Sequence, residues 1–140
     1  MKAIIRQVDG LSMVGKADSN HWVAFDSVKT FGGAEAATKP MEMVLLALGS
    51  CTSMDVLSIL KKMREKVNYF TVNIEANRAG EHPMVFTSIH LNYVVEGENI
   101  DPKNVNKAIE LSMTKYCSVT AMLEKSADIT WDVEIKEIGS

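Results

Sequence analysis

Between Pro40 and Lys66 the chain carries the segment that most limits how it can fold. From Met41 to Cys51 apolar side chains fall on almost every side of a 3.6-residue repeat. A helix apolar all round has to be covered, so the segment predicts a buried central helix. Beyond Cys51 the pattern turns amphipathic, with Met54, Val56, Leu57, Ile59, Leu60 and Met63 on the apolar side. Pro40 suits a first helical turn, where its missing N–H costs nothing. Lys61, Lys62, Arg64 and Lys66 complement the dipole at the far end. At about 25 residues this helix is twice the mean length of about 11–12. Its longest strongly apolar stretch, Met41 to Leu48, falls well short of the roughly 20 residues of a membrane span, so no membrane partner is expected.

Strands are expected on both sides of it. Ala3 to Val8, Leu11 to Val14 and Trp22 to Phe25 are short apolar segments parted by turn residues, which predicts an antiparallel meander. Phe31 to Thr38 is a small-residue loop whose Gly32 and Gly33 allow close passage of another backbone. After the helix, Phe70, Val72, Ile74 and Ala76 alternate with polar residues, as do Val85, Thr87, Ile89, Leu91, Tyr93 and Val95 with their neighbours. Such alternation marks a hairpin with one buried face. Asp101-Pro102 opens a second helix, Ser118 to Glu124 forms a further helical turn or two, and Ile129 to Ile135 is a last strand. The order predicts an α+β fold, a mainly antiparallel sheet packed on the long helix, in one domain over residues 1–140.

Charge narrows the function. Fifteen basic against 18 acidic residues leave a net charge of −3, with no run of five Lys or Arg. The attraction that underlies nucleic-acid binding is missing. Met1 to Arg6 contains no apolar core of a secretory signal, so a cytoplasmic protein is expected. Cysteines in that reducing compartment are core residues or redox groups rather than structural disulfides. Neither Cys51 and Cys117 nor His21, His82 and His90 show a zinc-type spacing, so neither metal nor cofactor is expected.

Cysteine is usually a small buried hydrophobe. Cys51, however, lies in Gly49-Ser50-Cys51-Thr52-Ser53, small and hydroxylated residues that interrupt an apolar helix at a cost in helix propensity. Small neighbours leave room around a thiol, and hydroxyls can hydrogen-bond a thiolate. Asp55, four residues on, shares the Cys51 face and would raise its pKa. Cys117 sits at an element junction, with Lys115 close by. Nine methionines, among them Met41, Met43, Met54, Met63, Met113 and Met122, read as core filler.

The run Lys39 to Met54 resembles the first cysteine motif of the OsmC/Ohr superfamily (osmotically inducible protein C and organic hydroperoxide resistance proteins). Phe31 to Ala34 is similar to the loop leading into it, and Tyr116-Cys117-Ser118-Val119 to the second motif, 66 residues beyond Cys51. The likeness is greatest to the small OsmC-like branch. It implies an intertwined homodimer that reduces organic hydroperoxides in oxidative-stress defence. Cys51 would be the peroxidatic and Cys117 the resolving cysteine, and a small dithiol or thiol the reductant. It also implies an arginine from the N-terminal hairpin and a glutamate ten residues before the first cysteine. Met41 stands at that place and Glu42 one position later. At about 100° per residue, ten positions back is about 80° from the Cys51 face and nine about 180°. Near the hairpin the basic residues are Lys16 and Arg6. Lys16 or Arg6, with Glu42, are the candidate charge partners; as ordinary surface charges they would leave a small-ligand-binding protein without efficient peroxidase activity.

Overall fold

The structure, a computed structural model, describes residues 1–139. By their contacts these divide into two units, one ending at Leu46 and the other starting at Ala47.

The first unit is the expected meander. Strands β1 (Ala3–Asp9), β2 (Ser12–Ala17) and β3 (Val23–Phe25) pair antiparallel in the order β1-β2-β3. Behind β3, the carboxylate of Asp26 organises the small-residue loop. It accepts the Ser12 hydroxyl at 2.8 Å and the backbone N–H groups of Ser27, Ala34 and Ala36 at 2.7, 3.2 and 3.2 Å. Gly33 passes so near the Ser27 backbone that a Cβ there would collide with it. This is the close passage that the glycine pair predicts.

Helix α1 (Pro40–Lys62) begins in the first unit and continues into the second. Pro40 occupies its first turn, and Glu42 accepts the Lys39 N–H at 3.0 Å, one half of a capping box. At the other end Arg64 takes a left-handed φ of 63°, with Glu65 N–H on the Leu60 carbonyl and Arg64 N–H on that of Lys61. That is a Schellman stop.

The second unit holds a sheet of β4 (Lys66–Arg78), β5 (Phe86–Glu98) and β6 (Asp128–Glu137), in the order β4-β5-β6. Two three-stranded sheets thus replace the single sheet expected. Pairing is antiparallel except between β5 and β6, which run parallel. The return path accounts for it: α2 (Pro102–Leu111), a π-helical turn (Ser112–Tyr116) and α3 (Ser118–Leu123) form a crossover, which a parallel pair requires. A bulge at Thr87 shifts the β4/β5 register, so Phe86 is buried and Thr87 exposed, opposite to simple alternation. The core of this unit is Val56 and Leu60 of α1, Ile89, Leu91, Tyr93 and Val95 of β5, and Val105 and Ile109 of α2. Each such side chain contributes about 1.5–3 kcal/mol by leaving water.

Within one chain the burial of α1 is one-sided. Leu48, Gly49, Thr52, Val56 and Leu60 form a buried stripe, while Leu46 is 55% and Met54 71% exposed. By length and composition alone α1 would also qualify as a membrane-crossing helix, with a mean hydropathy of 1.8 over its best window.

Candidate functional site

Helix α1 brings Cys51 and Asp55 to one face, and the junction between the π turn and α3 brings Cys117 to them. The two sulfurs and a carboxylate oxygen of Asp55 all lie within 4.8 Å of one another. Cys51 is half-buried and Cys117 buried; both are free thiols. Cys117 is the N-cap of α3, and its sulfur accepts the Thr120 N–H at 3.4 Å. The neighbouring Val119 N–H is directed at the Cys51 sulfur.

The balance of forces on Cys51 opposes ionisation. Burial pushes its thiol above the ordinary value, and the hydrogen bond to Cys117 and the charge of Asp55 push the same way. The Val119 amide pulls against them. Among the described residues no Lys, Arg or His forms an ion pair with Asp55.

Beneath the thiols runs a buried chain of hydroxyls that sequence reading missed. Tyr93 Oη lies 2.7 Å from Thr52 Oγ1, which lies 2.8 Å from Ser112 Oγ, and Ser112 donates to Asp55 Oδ2 at 3.0 Å. A carboxylate only accepts, so the single proton of each hydroxyl points one way: Tyr93 to Thr52 to Ser112 to Asp55. Burial lifts the Tyr93 phenol to about 12, which keeps it a donor. Phe70 and Trp131 hold its ring edge-on, each at a centroid distance of 6.2 Å. Ser112 and Tyr93 carried no motif; Thr52, inside the first cysteine motif, was the one visible signal.

The other expectations resolve locally. The hydroxyls around Cys51 serve the fold: Ser50 donates to the Ala47 carbonyl and Ser53 to that of Gly49. Gly49 is small because a side chain there would crowd Ile74 of β4. Glu42 caps α1 as described. The Arg6 guanidinium lies 5.8 Å and the Lys16 ammonium 4.8 Å from the Trp22 ring centroid, and Lys16 also donates to Asn20 at 2.8 Å. His90 engages Thr130 at 2.7 Å and Asp132 at 3.3 Å across the sheet. Local spacing gave no sign of a metal-ligating group, yet the fold gathers three donors at Cys51, Asp55 and Cys117.

Known proteins share this fold. A family model described as OsmC-like protein matches residues 32–132. Protein YhfA of Escherichia coli K12 is 39% identical over 135 residues, covering 96% of this chain and 98% of YhfA. A crystal structure of a hypothetical protein from Aquifex aeolicus is similar at a TM-score of 0.81 and 28% identity, covering 96% of each chain. An organic hydroperoxide resistance protein, OsmC, from Legionella pneumophila shares the fold at a TM-score of 0.70 and 11% identity, covering 96% of this chain and 97% of that one. With the family matched from the small-residue loop to the last strand, the chain belongs to the OsmC-like protein family.

Proposed function

We propose that this protein reduces organic hydroperoxides with Cys51 and Cys117. The observation that carries the reading is the approach of two free sulfurs to within 4.8 Å from distant parts of the chain. The Cys51 thiolate attacks the terminal peroxide oxygen, the O–O bond breaks, and the alkoxide leaves with a proton as the alcohol. Cys51 is then a sulfenic acid. The Cys117 thiol attacks that sulfur, a disulfide forms, and water leaves. A small dithiol or thiol restores the pair by exchange, in keeping with a reducing, cytoplasmic setting. The fold shared with the Legionella hydroperoxide resistance protein supports the same class of reaction. Cys51 is the peroxidatic and Cys117 the resolving group; Lys16 or Arg6, with Glu42, are the proposed charge partners, in an assembly of two copies.

The test uses fully reduced protein and one equivalent of cumene hydroperoxide. Both thiols should disappear, with a mass loss of about two hydrogens as disulfide formation requires. Cys51→Ser should consume no peroxide, and Cys117→Ser should stop at a sulfenic acid that dimedone traps. Two free thiols and an unchanged mass would sink the proposal.

A second reading, small-ligand binding without turnover, is favoured by the raised Cys51 pKa and by the local partners of Glu42, Lys16 and Arg6. A cavity of about 270 Å³ lined by Asp55, Ser58, Ile59, Lys62, Leu111 and Tyr116 offers space for a ligand with an apolar body. Ligand-dependent thermal stabilisation with no peroxide consumption would support it.

A further inference from the structure

The three donors at the thiol site have a property that the peroxidase reading does not use. When both cysteines ionise, the site carries three negative charges within 4.8 Å, and among the described residues no cation pairs with Asp55. Disulfide chemistry needs only the two sulfurs, and the peroxidase reading gives the Asp55 carboxylate beside them no part. A bound cation would use all three donors, because it is attracted to thiolates and carboxylate alike.

The donor types select the ion. Calcium and magnesium take oxygen ligands, whereas two thiolates are soft donors suited to zinc. A four-coordinate zinc ion holds sulfur at about 2.3 Å and carboxylate oxygen at about 2.0–2.2 Å, which puts neighbouring donors about 3.5–3.8 Å apart. The observed separations, up to 4.8 Å, close to this with inward shifts of about 1 Å. Asp55 is already oriented from outside the cluster: Ser112 donates to one of its oxygens at 3.0 Å, with Thr52 and Tyr93 lined up behind. Such support is what metal-ligating carboxylates carry. Cys51 and Asp55 are each partly exposed, so water can reach a fourth position.

We propose that the reduced chain binds one zinc ion through Cys51 Sγ, Cys117 Sγ and a carboxylate oxygen of Asp55, with solvent completing the tetrahedron. Binding exchanges two thiol protons for the ion; no electron moves. Zinc and the disulfide compete for the same sulfurs, so metal release accompanies oxidation of the pair. The site shares its thiols with the proposed peroxidase and requires none of that reaction.

The test is a Co²⁺ titration of the reduced, chelator-treated full chain, followed by displacement with Zn²⁺. Expected are one Co²⁺ per chain, a thiolate-to-metal charge-transfer band in the near ultraviolet and the strong visible absorption of four-coordinate cobalt. Zinc should abolish both. Cys51→Ser and Cys117→Ser should each lose most of the charge-transfer intensity. Asp55→Asn, which keeps size and an acceptor for Ser112, should weaken binding about tenfold or more, at least what loss of an outer partner costs. No stoichiometric binding, a weak six-coordinate spectrum, or an Asp55→Asn variant that binds like wild type would each overturn the site. The readout is independent of turnover: a chain that consumes peroxide but binds no cobalt loses only the metal site, and one that binds cobalt without consuming peroxide loses only the peroxidase.

Discussion

Thr52 is the residue on which the thiol site rests most heavily, since its hydroxyl is both the acceptor for Tyr93 and the donor to Ser112. Thr52→Val keeps the shape and removes both bonds, leaving two buried hydroxyls short of a partner. Denaturant unfolding should show a loss of about 1–3 kcal/mol, the cost of an unsatisfied buried polar group. Asp55 acts on the other side, through charge. Burial is the largest cause of the raised Cys51 pKa and the Asp55 charge adds to it, so Asp55→Asn should lower that pKa and increase the thiolate fraction near neutral pH. Iodoacetamide should alkylate Cys51 roughly two- to fivefold faster in metal-free Asp55→Asn than in wild type, a modest share of what a neighbouring like charge can do. An unchanged rate would mean that burial and the contact with Cys117 raise the thiol without help from Asp55. In the sequence the Cys51–Asp55 spacing was legible, because four residues is one helical turn. The partners from Tyr93 and Ser112 were not: nothing local distinguishes a strand tyrosine that fills a core from one that starts a hydrogen-bond chain.

Elements were legible where a backbone rule acts over a few residues. Asp101 caps α2 and accepts the Lys103 N–H at 2.9 Å, as its place before Pro102 predicts. The Thr87 bulge escaped because alternation reads identically on either side of one inserted residue. Two element ends lend themselves to measurement. Arg64 sits in the left-handed region at the α1 stop, where a Cβ costs about 1–2 kcal/mol. Arg64→Gly should stabilise the chain by about 0.5–1 kcal/mol, part of the gain being lost to the looser unfolded chain. At the loop after β3, the Ser27 N–H first and then the Ser12 hydroxyl hold the Asp26 carboxyl at about 2, against an ordinary 3.8. The folded chain therefore gives up this proton where the unfolded chain keeps it. The stabilisation is complete above the unfolded value and disappears as pH falls through the folded one. Asp26→Asn should accordingly lower the denaturant midpoint most near neutral pH, with the gap to wild type closing between pH 3.8 and about 2.

At the scale of the whole molecule, the long apolar helix is a segment needing cover, and within one chain that cover is incomplete. On α1 alone Met54 is 71% and Leu57 39% exposed, and Met122 of α3 is 65% exposed. Isolated exposed apolar residues are ordinary; several on the helices that carry the thiols are what a docked second copy would cover. A second copy is the occupant that the proposed function already invokes, and an interface of standard size hides about 800 Å² per partner. Light scattering at micromolar concentration should therefore give twice the chain mass. The thermal midpoint should rise with protein concentration, because association stabilises by mass action. Met54→Glu places a charge where the partner would pack, and should shift the mass toward one chain and remove the concentration dependence. A wild-type monomer whose midpoint ignores concentration would leave α1 exposed in solution, and the thiol site would then have to work with the residues of one chain alone.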